Sequence, residues 1–133
     1  MVFQYHGLNI TQEEVAEYWG REYVSQAGVY YFTLVNCARH FGFSASAREN
    51  FTLEKVIKTI DSELPIIARV RVEGEISTHL CVIRGYERYP SILWINDPNK
   101  ISKKNELYKN FSQLWNIRDY CATHNYGVVV KKK

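Results

Sequence analysis

Cysteine, proline and methionine are scarce in this chain of 133 residues, which holds three, three and one of them. The cysteines, at 37, 81 and 121, are too few and too scattered for a disulfide framework, so reduced thiols are the expected state. Any apolar run near the roughly 20 residues that cross a bilayer is also lacking. The opening MVFQYHGLNI has neither the charged nor the apolar region of a signal peptide. Those absences argue against a membrane segment and for a cytoplasmic setting of the chain as it stands. A strong excess of charge is lacking too. The net charge is +3, and Lys131, Lys132 and Lys133 equal that excess by themselves. Residues 1–130 then read as one nearly neutral domain and 131–133 as a basic tail, a distribution that argues against a nucleic-acid partner.

What is present is ordinary globular composition: 46% hydrophobic and 23% charged residues, enough to bury one core and too apolar for a wholly disordered chain. Repeats, low-complexity tracts and internal linkers are not found. Ile10 to Val15 forms a helix start, with Thr11 as N-cap, Glu14 as the return half of a capping box and Ile10 with Val15 as a hydrophobic staple. The helix that follows runs over about 12–20, with Val15, Tyr18 and Trp19 on one face. Before it, Met1 to Tyr5 reads as the last turn of another helix, closed by Gly7. Helical periodicity returns from Tyr30 to Phe41, stopped by Gly42, and again after Thr52 until Pro65.

After Pro65 the pattern changes. Segments 66–73, 79–86, 92–97 and 126–131 are rich in β-branched and aromatic residues and read as strands. The short links 73–77 and 87–91 make the first three antiparallel neighbours. A further helix, Leu107 to Trp115, precedes the last strand. Helices first and an antiparallel sheet second is an α+β order.

The strand carrying His79 is followed by one that ends in Asn96-Asp97-Pro98, so a hairpin brings imidazole and carboxylate together at one edge of the sheet. A carboxylate beside a histidine holds the ring in one tautomer and stabilises it once it takes a proton. The plainer reading is a half-buried histidine and a turn signal in which Asp97 caps loop backbone.

In this region the chain resembles the bacteriocin-processing, double-glycine leader peptidases and their relatives among the papain-like cysteine peptidases. The resemblance rests on an ordered set of motifs over nearly the whole chain. MVFQYHGLNITQEEVAEYW matches the end of the family's first helix and all of its second. Pro65-Ile66-Ile67, then His79 to Tyr86 (HLCVIRGY), then Asn96-Asp97-Pro98, then Phe111 and Trp115 follow in the family's order. It implies a papain-like fold, N-terminal helices packed on a C-terminal antiparallel sheet, with His79 as base and Asp97 as its orienter. It also implies a peptide or protein substrate, double-glycine leader peptides being the family's best-known target class.

In the family the nucleophilic cysteine opens the first helix, and a nearby glutamine helps form the oxyanion hole. This chain starts about three helical turns later and is expected to lack both. The shortened first helix should leave Val15, Tyr18 and Trp19 poorly covered, as an apolar groove that the His79–Asp97 edge faces. None of the three cysteines present is expected to substitute. Cys37 sits in an apolar helix and reads as a small buried hydrophobe. Cys81 is two residues from His79, roughly 6–7 Å along a strand and too far for direct contact. Cys121 lies in a loop-like segment. Two functions stay open: a cysteine peptidase whose nucleophile lies upstream of Met1, and a catalytically inactive module that binds a leader peptide or a protein partner.

No cofactor and no metal is expected. Cys37-x-x-His40 and Cys121-x-x-His124 could in principle pair on a zinc ion, but two-residue spacings arise often by chance. Tyrosine is frequent, with ten in the chain. Tyr86, Tyr89, Trp94 and Tyr108 are expected around the His79–Asp97 region, Trp94 as core and the tyrosines as either core or the lining of a peptide cleft.

Overall fold

Local signals build the first helices. The Glu14 amide donates to Thr11 Oγ1 at 3.2 Å, and the Thr11 amide donates back to the Glu14 carboxylate at 2.7 Å, closing the capping box. Thr52 Oγ1 likewise accepts the Lys55 amide. Gly7 and Gly42 take φ of +87° and +89°, the left-handed conformation that ends a helix cheaply only at glycine. In this computed structural model, residues 1–19, 31–72, 74, 78–98, 105–117 and 125–133 are described. The elements are α1 (Val2–Tyr5), α2 (Gln12–Trp19), α3 (Tyr31–His40), β1 (Phe43–Arg48), α4 (Leu53–Asp61), β2 (Ile66–Arg71), β3 (Thr78–Glu87), β4 (Ile92–Asn96), β5 (Asn105–Leu107), α5 (Tyr108–Trp115) and β6 (Gly127–Lys132).

The six strands form one antiparallel sheet in the order β1-β6-β2-β3-β4-β5. The α+β class and the antiparallel neighbours of the sequence reading hold. Two strands escaped it. β1 (FSASAR) has no β-branched residue and exists because β6 pairs with it from Phe43↔Lys132 to Arg48↔Gly127. β5 is three residues long, below what alternation can signal. The same pairing carries β6 to Lys132, one residue past the strand 126–131 of the sequence reading.

Because β6 is buried on both faces, the sheet separates two cores. One joins Val2 of α1 and Leu34, Val35 and Ala38 of α3 to Val128 and Val130. The other joins Val56 of α4 and Phe111 and Trp115 of α5 to Ile66, Ile83, Leu93 and Ile95. The helices therefore cover both faces, not one. The β3–β4 register shifts between Ile83 and Gly85, so Ile83 and Tyr86, three residues apart, both pack toward the second core.

The entry to β6 is tightly pinned. Tyr31 Oη and Trp115 Nε1 both donate to the Tyr126 carbonyl, at 2.7 and 2.9 Å. Asn125 Nδ2 donates to the Phe51 carbonyl at 2.9 Å. At Gly127 a Cβ would stand 2.8 Å from Ile66 Cγ2 and 3.3 Å from the Ile67 carbonyl oxygen, so only glycine lets β6 approach β2 this closely.

Candidate active site

His79 lies near the start of β3, opposite Val70 of β2, and Asp97 follows the last residue of β4. The register Val82↔Asn96, carried one residue on, sets Asp97 across from Cys81 and diagonal to His79 on the same sheet face. Diagonal neighbours are within reach of long side chains. His79 Nε2 and Asp97 Oδ2 are 2.8 Å apart, with side-chain exposures of 13% and 8%.

An ionised carboxylate only accepts, so Nε2 carries the proton it donates to Asp97 and the neutral ring keeps its lone pair on Nδ1. That Nδ1 is buried and has no hydrogen-bond partner among the described residues. A buried, unpartnered ring nitrogen has lost its hydration without replacement, which is costly unless a donor is meant to meet it. One nitrogen held and the other free is the arrangement an imidazole base requires.

The pair sits in a small cavity of about 30 Å³ on the α5 face, walled by Val70, Phe111 and Leu114 and reached by Asn105 and Glu106 of β5. The sequence reading overlooked the β5 residues, since a three-residue strand gives no periodic signal. The apolar groove expected beside the first helix is present, a cavity of about 490 Å³ lined by Met1, Ile10, Val15, Leu34, Leu80 and Val82. His79 and Asp97 do not line it. Strand parity is the reason: Leu80, Val82 and Asn96 point to the α1 side, and residues one step away point to the α5 side. Tyr18 is 39% exposed and stacks on His40. The side chain of Trp19 lies outside the described residues.

The aromatic cluster expected around the pair does not form. Tyr86 is at the other end of β3, donating to Asp61 at 2.6 Å, a bond that raises its phenol pKa. Tyr89 stands almost wholly exposed in the β3–β4 turn. Tyr108 reaches toward the Phe51 carbonyl. Trp94 is half-buried beneath the Arg84 guanidinium and belongs to neither core, because alternation along β4 sends Leu93 and Ile95 inward and Trp94 to the outer face.

Neither described cysteine is a reactive thiol beside His79. Cys37 is buried in α3, and burial pushes its pKa from 9.0 up to about 11. Cys81 is buried in the second core. Neither forms a disulfide. Cys37 faces the core and His40 stacks on exposed Tyr18, so this spacing does not converge on an ion. Cys121 and His124 lie outside the described residues.

The Cys37 pKa has a consequence for stability. Between pH 9 and about 11 the folded state keeps a proton that an ordinary exposed thiol releases. Stability from this group is therefore intact below pH 9 and falls as pH rises toward 11. Melting curves across that range should show a decline that is smaller in Cys37→Ala. Parallel declines in the two proteins would contradict the assignment.

Residues 1–123 match the family described as Peptidase_C39 like. The chain belongs to that family. Solved structures agree on the C39 fold. The peptidase domain of Streptococcus ComA, a bi-functional ABC transporter involved in quorum sensing, superposes with a TM-score of 0.72 at 18% identity, over 99% of this chain and 85% of that one. A Bacillus anthracis protein described as C39-like gives 0.71 at 15%, over 99% and 84%. The peptidase domain of Streptococcus mutans ComA gives 0.59 at 14%, over 87% and 85%. No curated protein matches the chain. Among the described residues of this C39-like domain, no helix is long and apolar enough to cross a membrane.

Proposed function

We propose that His79 and Asp97 are the base and the orienter of a cysteine-peptidase site that acts on peptides, with the thiol coming from none of Cys37, Cys81 and Cys121. The observation that carries this is the buried, unpartnered Nδ1 of a ring whose Nε2 is held by Asp97 at 2.8 Å. Nδ1 takes the thiol proton, and the thiolate adds to the scissile carbonyl. The Asp97 charge stabilises the imidazolium, which then protonates the leaving amine. Water hydrolyses the resulting thioester, with Nδ1 again as base. The substrate is a peptide of the double-glycine leader class, met in a reducing cytoplasm.

A second reading, a module that binds such a peptide without cutting it, is favoured by the apolar groove beside α1. One experiment separates the two. Incubated with a double-glycine peptide, the 133-residue chain should show no enzyme-like turnover by its own three cysteines, while a version extended at its N-terminus by a segment that carries a cysteine should cleave it and stop doing so on His79→Ala. Binding without cleavage by the extended version would establish the second reading. Cleavage by the 133-residue chain that is abolished by Cys37→Ala, Cys81→Ala or Cys121→Ala would overturn the placement of the nucleophile.

A further inference from the structure

A groove of about 690 Å³ runs between α4 and the β1–β6 side of the sheet, far from His79. Five cationic side chains line it: Arg48, Lys55, Lys58, Lys131 and Lys132. Two carboxylates, Glu49 and Glu63, also line it. The balance of three positive charges equals the net charge of the whole chain, so the protein's excess charge is gathered in one concavity. Low-dielectric walls focus such a field. None of the five cations is paired with a carboxylate among the described residues, and Arg48 spends only its Nε, on Ser46 Oγ.

The groove is elongated. On α4 the lining stripe is Lys55, Lys58 and Ser62, which covers about 10 Å at 1.5 Å per residue. On the strands, Arg48 lies opposite Gly127 and Lys131 opposite Ser44, four register steps apart and hence about 13 Å. The hydroxyls of Thr59 and Ser62 are turned back onto the Lys55 and Lys58 carbonyls, at 2.7 and 2.9 Å. Recognition of a ligand therefore falls to the cations.

We propose that this groove binds a short, extended acidic peptide segment. A single phosphate or diphosphate is too small to meet cations at both ends. An extended chain advances roughly 3.3 Å per residue, so carboxylates at alternate positions stand about 6.6 Å apart on one side and three of them span the groove. The site shares no residue with the His79–Asp97 pair and lies by the opposite end of β2, where Ile66 meets Val129. It stands or falls independently of the peptidase reading.

The test is fluorescence anisotropy with a labelled Glu-Ser-Glu-Ser-Glu peptide at about 0.1 M salt, where surface charges beyond about 10 Å are screened. Saturable one-to-one binding is expected, weakened at least tenfold by Lys58→Gln with Lys131→Gln, and less than twofold by Arg88→Gln with Lys109→Gln, which removes the same charge elsewhere. The peptide with Gln for Glu should bind at least tenfold more weakly. Circular dichroism checks that each variant is folded; if Lys131→Gln is not, Lys58→Gln alone should weaken binding at least threefold. Absence of saturation at millimolar peptide overturns the proposal, as does any smaller separation between the paired variants. Tighter binding of tripolyphosphate than of the peptide would overturn it in favour of a phosphate ligand.

Discussion

Trp115→Ala is expected to destabilise the domain by about 3–5 kcal/mol, against the roughly 5–15 kcal/mol that holds a typical domain folded. Trp115 is 1% exposed, stacked on Phe51 and edge-on to Phe111, both with ring centroids at 5.5 Å. Truncation removes the largest fully buried side chain from the core between α5 and the sheet. It also takes one of two donors from the Tyr126 carbonyl, though Tyr31 still reaches that oxygen. Most of the cost is therefore the cavity, and Trp115→Phe, which loses the same donor but keeps most of the ring volume, should cost less than half as much. Urea denaturation of the two variants measures this. A loss below about 1 kcal/mol for Trp115→Ala would mean that the core collapses around the site and that the packing described here is not what holds α5.

On the proposed reading, His79→Ala should lower kcat/KM for peptide cleavage by about 10²–10⁴-fold, the range of a positioned general base. Asp97→Asn should cost less. An Asn carbonyl still accepts the Nε2 proton, so the ring keeps its orientation and its free Nδ1 and loses only the charge that stabilises the imidazolium. Asp97→Ala removes both and should fall between the Asn variant and His79→Ala. Steady-state assays of the three variants give the order. If Asp97→Asn were as inactive as His79→Ala while remaining folded, orientation would not be what Asp97 provides. If all three retained full activity, the pair would be a structural hydrogen bond and no more.

Much of this was legible in the chain because the signals are local. A Thr11–Glu14 capping box, a left-handed glycine at 42 and a proline at 65 act within a few residues of themselves, and their geometry does not wait for the rest of the fold. The His79–Asp97 contact was legible only in part: the short link after Glu87 brings the two strand ends together, but the register shift between Ile83 and Gly85 is what sets the two side chains diagonal on one face. Family resemblance added the roles, through motif order and not through any single residue.

Other features depended on partners distant in sequence. Phe43–Arg48 has no β-branched residue and is a strand because β6, distant in the sequence, supplies its hydrogen bonds. Alternation predicts which residues share a face only until a bulge, and the shift between Ile83 and Gly85 put Tyr86 on the same core side as Ile83. Parity likewise put His79 on the α5 face and not toward the groove beside α1, and left its Nδ1 without a partner. The charged groove is the plainest case. Lysines at 55, 58, 131 and 132 read as a helix surface and a tail, and they become one field only where antiparallel pairing lays β6 beside β1 and across from α4. Composition and local pattern determined most of the elements and brought His79 and Asp97 forward as a candidate pair. Long-range pairing, which costs chain entropy that no local signal records, decided which faces those residues share.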